Sequence, residues 1–199
     1  MKKQEFHLIM MIAMIIANLL TVCFAEENNQ PARCDVSAFI TDKDPKGLNV
    51  RSAPDKNVIS RIPYKNYQPE QPITVHIVDA KTGWLKIDRW TDGLTTGKFA
   101  GEAWIYGKLV AVSIKGDENI KVYGGPEGAT THLVANIHEK PAAETPLLGQ
   151  LDAENQLVNV LDCQDKWILT AGKMLDGKLL KGWLAPQQQC PNFPSACVL

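Results

Sequence analysis

Five short β-rich segments occur twice in this sequence, in the same order. Gly47-Leu-Asn-Val-Arg-Ser-Ala-Pro is answered by Leu133-Val-Ala-Asn-Ile-His-Glu-Lys-Pro. Asn57-Val-Ile-Ser-Arg-Ile is answered by Pro146-Leu-Leu-Gly-Gln-Leu, and Thr74-Val-His-Ile-Val-Asp by Leu157-Val-Asn-Val-Leu-Asp. Thr82-Gly-Trp-Leu-Lys-Ile corresponds to Asp165-Lys-Trp-Ile-Leu-Thr, and Ala103-Trp-Ile-Tyr to Gly182-Trp-Leu-Ala. Self-similarity of this kind marks two units of one architecture. The copies have diverged too far for low complexity to explain the match.

The segments are strands. Ile73-Thr-Val-His-Ile-Val alternates apolar and polar side chains, as a half-buried strand does. Ala80-Lys-Thr-Gly83 reads as a hairpin turn into Trp84-Leu-Lys-Ile87, which alternates again. The other predicted strands of the first repeat are Gly47–Arg51, Val58–Ile62, Gly83–Asp88 and Glu102–Tyr106. Residues 88–101 are predicted to be a long loop. Gly, Pro, Asn and Asp punctuate the runs closely, and helix signals are scarce. The chain is therefore predicted to be all-β. The boundary between repeats falls in 115–130, read as a linker with Lys121-Val-Tyr as a short extra strand.

The first 25 residues read as a signal peptide. Lys2 and Lys3 precede an apolar run from Leu8 to Leu20, which is short for a bilayer span of about 20 residues. Ala25 then precedes the polar Glu26-Glu-Asn-Asn-Gln30, a fitting cleavage site. The alternatives are a retained anchor and a lipid on Cys23. Val22 and Phe24 fit the lipid poorly. No other segment is apolar enough to span, so no stable membrane insertion is expected after cleavage. With Lys2, Lys3 and Glu5 gone, 19 basic and 21 acidic residues remain. That near-neutral balance gives no basis for nucleic acid as a partner. The predicted location is periplasmic or secreted.

Cysteines 34, 163, 190 and 197 follow the cleavage site. Four cysteines in an exported chain suggest disulfides, with three possible pairings. Cys190 and Cys197 flank Pro-Asn-Phe-Pro-Ser-Ala, so a local bridge would close the tail. By elimination Cys34 would pair with Cys163 and join the two halves.

No catalytic signature is present. His76, His132 and His138 lie outside any HExxH motif, and Cys34 has no nucleophile context. GxSxG, SxxK and a phosphate-cradling Gly loop are all missing. The chain is expected to be no enzyme and to use no metal or other cofactor. Trp84, Trp104, Trp167 and Trp183 sit within strand patterns and are expected to be core or half-core. Trp90, with Arg89 and Asp92 in the predicted loop, is the leading ligand-contact candidate. Tyr64 and Tyr67, among prolines, form a second candidate surface. Arg51 reads as a strand-end residue bonding its own turn or an acidic neighbour. The polar loop 42–47 has no aromatic, which argues against Pro-rich peptide ligands.

The run Leu48-Asn-Val-Arg-Ser-Ala-Pro54, then Val58-Ile59, Ile62-Pro63, Gly83-Trp-Leu-Lys-Ile87 and Ala103-Trp-Ile-Tyr106, resembles the bacterial SH3-like (SH3b) domain family. The resemblance covers residues 36–110. Over 131–188 it is weaker, keeping Asn136, Pro141, Gly149, Trp167 and Trp183-Leu184. It implies two tandem small SH3-like β-barrels, one over 34–114 and one over 131–199. It also implies envelope localisation and binding of peptidoglycan, another wall component or an envelope protein. On this reading the chain is a binding module, the alternative being a protein–protein module such as an accessory subunit, scaffold or inhibitor.

Overall fold

The alternation along Trp84-Leu-Lys-Ile sets the inside and outside of the structure. Leu85 and Ile87 are fully buried, while Trp84, Lys86 and Asp88 share the outer face. A computed structural model describes residues 33–63, 72–124, 130–154 and 156–191, with only the backbone for 117–124 and 130–131. The described residues belong to one compact unit.

The described strands are β1 (Val36–Ile40), β2 (Leu48–Arg51), β3 (Val58–Ile62), β4 (Thr74–Lys81), β5 (Trp84–Thr91), β6 (Thr96–Lys98), β7 (Trp104–Tyr106) and β8 (Val110–Ile114). They continue as β9 (Asp117–Gly124), β10 (Thr130–His138), β11 (Leu147–Asp152), β12 (Leu157–Asn159), β13 (Asp162–Gln164), β14 (Trp167–Lys173), β15 (Leu179–Leu184) and β16 (Gln189–Cys190). The fold is all-β, in two antiparallel sheets. One runs β12-β8-β1-β4-β5-β7-β2-β3, with β16 also on β8 and β6 on β5. The other runs β11-β10-β15-β14-β13, with β9 on β10. No described helix is long and apolar enough to cross a membrane.

The repeat seen in sequence extends to strand register. Arg51 opposes Trp104, and its counterpart His138 opposes Trp183. Lys86 opposes Trp104, and Leu169 opposes Trp183. Ladder irregularities fall at Val50/Arg51 and at Ile137/His138, again counterparts. Thr82 and Asp165, equivalent turn residues, both have positive φ, 52° and 50°. Asn49 accepts from Arg61 at 2.9 Å, as Asn136 accepts from Gln150 at 3.1 Å. A 3₁₀ turn follows β7 at Gly107–Leu109, and another follows β15 at Pro186–Gln188.

The repeats share hydrogen bonding and core. β12 belongs to the second repeat but pairs with β8 of the first, Val158 opposite Val112. β8 is buried along its whole length. One cluster of buried residues runs from Cys34 and Val36 through Leu85 and Ile105 to Ile137, Ile168 and Leu184. Full burial of one such side chain is worth roughly 1.5–3 kcal/mol. Residues 117–124, within the stretch read as a linker, form β9 on β10.

Arg33-Cys34-Asp35 straps the repeats together. Cys34 is bonded to Cys163, both fully buried. Asp35 N–H donates to Asp165 C=O and Asp165 N–H to Arg33 C=O, each at 2.7 Å. The Arg33 guanidinium lies between Asp79, at 3.5 Å, and Asp162. These aspartates are repeat counterparts, and each also accepts the N–H of its following residue at 2.8 Å. Cys190 is disulfide-bonded. Its expected partner, Cys197, lies outside the described residues.

Candidate functional site

The outer face of the first repeat carries an open groove of about 500 Å³. It is lined by Asn49, Arg51, Asp55, Thr82, Trp84 and Tyr106, with Leu109 at one end. Strand pairing assembles it. Trp84 begins β5 and opposes Tyr106, the last residue of β7. Their rings are 5.3 Å apart and tilted by 47°, a favourable aromatic arrangement. Arg51 ends β2, and its guanidinium carbon lies 5.8 Å from the Trp84 ring centre. A cation over an indole face at this range is attracted to the ring by about 0.5–1 kcal/mol when exposed. Arg51 Nη1 also donates to the Lys56 carbonyl at 2.6 Å, anchoring the side chain to its own turn. Asp55, in that turn, has φ of 58°.

Next to these residues on the same face, Trp104 is buried and donates its Nε1–H to Glu102 Oε2 at 2.6 Å. Glu102 Oε1 accepts from Lys86 Nζ at 2.6 Å. These bonds, that from Lys86 foremost, hold the Glu102 carboxyl below its ordinary range. The carboxylate braces β5 against β7 beside the two aromatic rings, on the same face.

The candidates named from sequence lie elsewhere. Residues 88–91 continue β5 and 96–98 form β6, so the predicted long loop is a hairpin. Trp90 is therefore a strand residue, opposite Val75 and Gly97. It is half-buried against the core. A Cβ on Gly97 would sit 2.0 Å from Trp90 Nε1, so the indole packs directly against the glycine. A Trp in β5 gains this cover from its own hairpin, which the loop reading did not foresee. Arg89 is exposed and bonds Asp88 at 2.9 Å. Asp92 is buried in the β5–β6 turn, where its Oδ1 accepts the N–H groups of Leu94 and Thr95. Tyr64 and Tyr67 lie outside the described residues.

A second polar cluster surrounds His76. Its Nδ1 is 2.7 Å from Asp88 Oδ1 and its Nε2 is 2.9 Å from Asp35 Oδ1. The hydrogen bond from His76 is the main cause holding the Asp35 carboxyl below its ordinary value. Both ring nitrogens of His76 therefore face carboxylate oxygens, which fixes the orientation of the ring between β1 and β5. Among the described residues no three His, Cys, Asp or Glu side chains are placed to hold a metal ion.

The second repeat carries a different surface. His138 and Trp167 occupy the positions of Arg51 and Trp84, edge to face at 5.2 Å. Ala185, buried, stands where Tyr106 stood. An apolar groove of about 550 Å³ opens instead at the sheet edge, between Leu147 and Leu148 on β11 and Met174 and Leu175 at the β14–β15 turn.

Trp84, expected to be core or half-core, is half-buried, and Arg51 bonds its own turn as one of its two expected partners. Parity alone was enough to place Trp84, because it shares the outward phase of Lys86. The groove needs β2, β5 and β7 side by side, and local patterns do not encode that adjacency. Compared with known proteins, the chain matches no family model and no curated protein.

Proposed function

We propose that this chain is an exported, non-catalytic binding module of the cell envelope. On this reading two SH3-like β-barrels in tandem present the groove, and the ligand is peptidoglycan or another wall component. The observation that carries it is the Arg51 guanidinium held over Trp84 beside Tyr106 in an open groove. Half-exposed aromatic faces with a fixed cation suit recognition of an extended ligand by stacking and hydrogen bonding. This reading includes no catalytic step and no cofactor. The Cys34–Cys163 disulfide supports an oxidising compartment, periplasmic or extracellular.

The test is co-sedimentation of the purified protein with isolated sacculi. Wild type is retained, Trp84→Ala is not, and Trp90→Ala is retained like wild type. No retention of the wild type refutes a wall ligand.

An envelope protein as partner is the second reading. It rests on Leu147 and Leu148, 53% and 48% exposed on the edge strand β11. An open edge beside apolar side chains suits an added strand from a partner. In-cell crosslinking that captures a specific partner through β11, lost in Leu148→Lys, supports this reading.

A further inference from the structure

Arg51 and Asp55 line one groove, yet they form no ion pair with each other. Arg51 uses one N–H on the Lys56 carbonyl and one face on Trp84. A guanidinium has five N–H donors, so most of its capacity is left for another group. Asp55 is exposed and has no hydrogen bond or ion pair among the described residues. Elsewhere on this surface opposite charges do pair when close, as in Lys86–Glu102 at 2.6 Å, Arg89–Asp88 at 2.9 Å and Lys178–Asp176 at 2.6 Å. The groove therefore holds a cation and an anion that do not pair with each other, both carried by the β2–β3 turn beside the aromatic rings.

The second repeat serves as an internal comparison. His138 replaces Arg51, Ala142 follows Pro141 where Asp55 follows Pro54, and Ala185 replaces Tyr106. Both charges and one ring are absent together, although the supporting register is retained. The charges thus belong to the groove and are not needed by the frame.

We infer that the groove recognises a zwitterionic, amino-acid-like group: a carboxylate on Arg51, an ammonium on Asp55, and the neighbouring part of the ligand against Trp84 and Tyr106. This inference rests on the binding reading above and narrows it to peptide chemistry, as opposed to neutral glycan. A planar guanidinium grips a carboxylate through paired N–H donors, and such charge-assisted bonds are stronger than neutral ones. Held over an indole, Arg51 is pre-oriented, so little side-chain entropy is lost on binding.

The experiment is calorimetric titration of the purified protein with two probes. One is muropeptides released from sacculi by muramidase, and the other is a short peptide with free termini. Each is used untreated, with carboxyls amidated, and with amines acetylated. Wild type is expected to lose about tenfold in affinity on either modification, the effect of removing one charge-assisted contact. Arg51→Gln should bind untreated and amidated probes equally, and Asp55→Asn untreated and acetylated probes equally. Asn tolerates the positive φ at position 55, so this variant keeps the turn; an unchanged unfolding midpoint verifies it for both. Weakening by both modifications, seen with both probes or with muropeptides alone, supports the inference and identifies the source. If modified muropeptides bind wild type as tightly as untreated ones while Trp84→Ala abolishes binding, the groove stands and its zwitterionic preference is overturned. If neither untreated probe binds, the inference is overturned, and sacculus retention reports separately on the wall reading.

Discussion

The two repeats share a frame and differ in what they display. Arg51, Trp84 and Tyr106 make an open polar–aromatic groove in the first. His138, Trp167 and Ala185 stand at the same register positions in the second, with His138 and Ala185 buried. Lys86 and Glu102 brace the first site through an ion pair, and their counterparts are Leu169 and Lys181. Strand pairing fixes where these side chains point, and a handful of residue identities decides whether the position becomes a site or a support. On the proposed reading the first repeat carries the ligand face, while the second exposes the apolar edge residues Leu147 and Leu148.

The comparison breaks most completely if the repeats are uncoupled. The Cys34–Cys163 bridge spans 129 residues of sequence. Chain-entropy reasoning then gives a loss of about 5 kcal/mol for Cys34→Ala/Cys163→Ala. Urea unfolding monitored by tryptophan fluorescence should show a far lower midpoint, and two transitions if the repeats come apart.

A smaller effect is expected where the repeats differ by one methyl group. Ala103 precedes Trp104, whereas Gly182 precedes Trp183. A Cβ at Gly182 would lie 2.4 Å from Ile137 Cγ2 and 2.8 Å from the His138 carbonyl. Gly182→Ala should cost about 1–3 kcal/mol through overpacking. Ala103→Gly should cost only about 0.5–1 kcal/mol, the backbone-entropy penalty of glycine. Equal losses in thermal unfolding would show that the second frame is looser than described.

The paired tryptophans sharpen the functional side of the contrast. Trp84→Ala should lower sacculus retention at least tenfold with little change in unfolding. Trp167→Ala should lower stability and leave retention intact. Loss of retention in both would make the second repeat part of the binding surface.

The smallest effect is electrostatic. Glu102 is held below its ordinary pKa first by Lys86 and then by Trp104. Such a carboxylate adds stability that is full above its unfolded value, about 4.3. That stability is lost as pH falls through the lower folded value. Glu102→Gln should therefore flatten the acid side of the stability profile, measured by urea midpoints between pH 5 and pH 2. Glu102 is more than half exposed, so the change should stay under about 1 kcal/mol and shrink in salt.

Most of the strand order was legible, because Ile73–Val78 and Trp84–Ile87 alternate cleanly with one face in water. β8 was not, since Val110-Ala-Val-Ser-Ile is buried throughout and carries no alternating signal. Trp90 was misplaced because Asp88, Arg89 and Asp92 look loop-like, yet β6 extends the ladder over them. The pairing of Cys34 with Cys163 was reached by elimination and is present in the structure. The groove was legible only in part. The parity of Trp84 is local, whereas its meeting with Arg51 and Tyr106 depends on how β2, β5 and β7 are ordered.

The strap at Arg33–Asp35 sets a timetable for synthesis. Cys34 is among the earliest described residues to be made, and its partner follows 129 residues later. At about 5–20 residues per second, the interval is roughly 6–26 s. Throughout it the Cys34 thiol is without its native partner, and β1 lacks part of its native surroundings. Only four cysteines follow the proposed cleavage site, and the other two come still later in the chain. Late closure thus leaves Cys34 little opportunity for a wrong intramolecular bridge, so the long wait carries a low risk of misfolding.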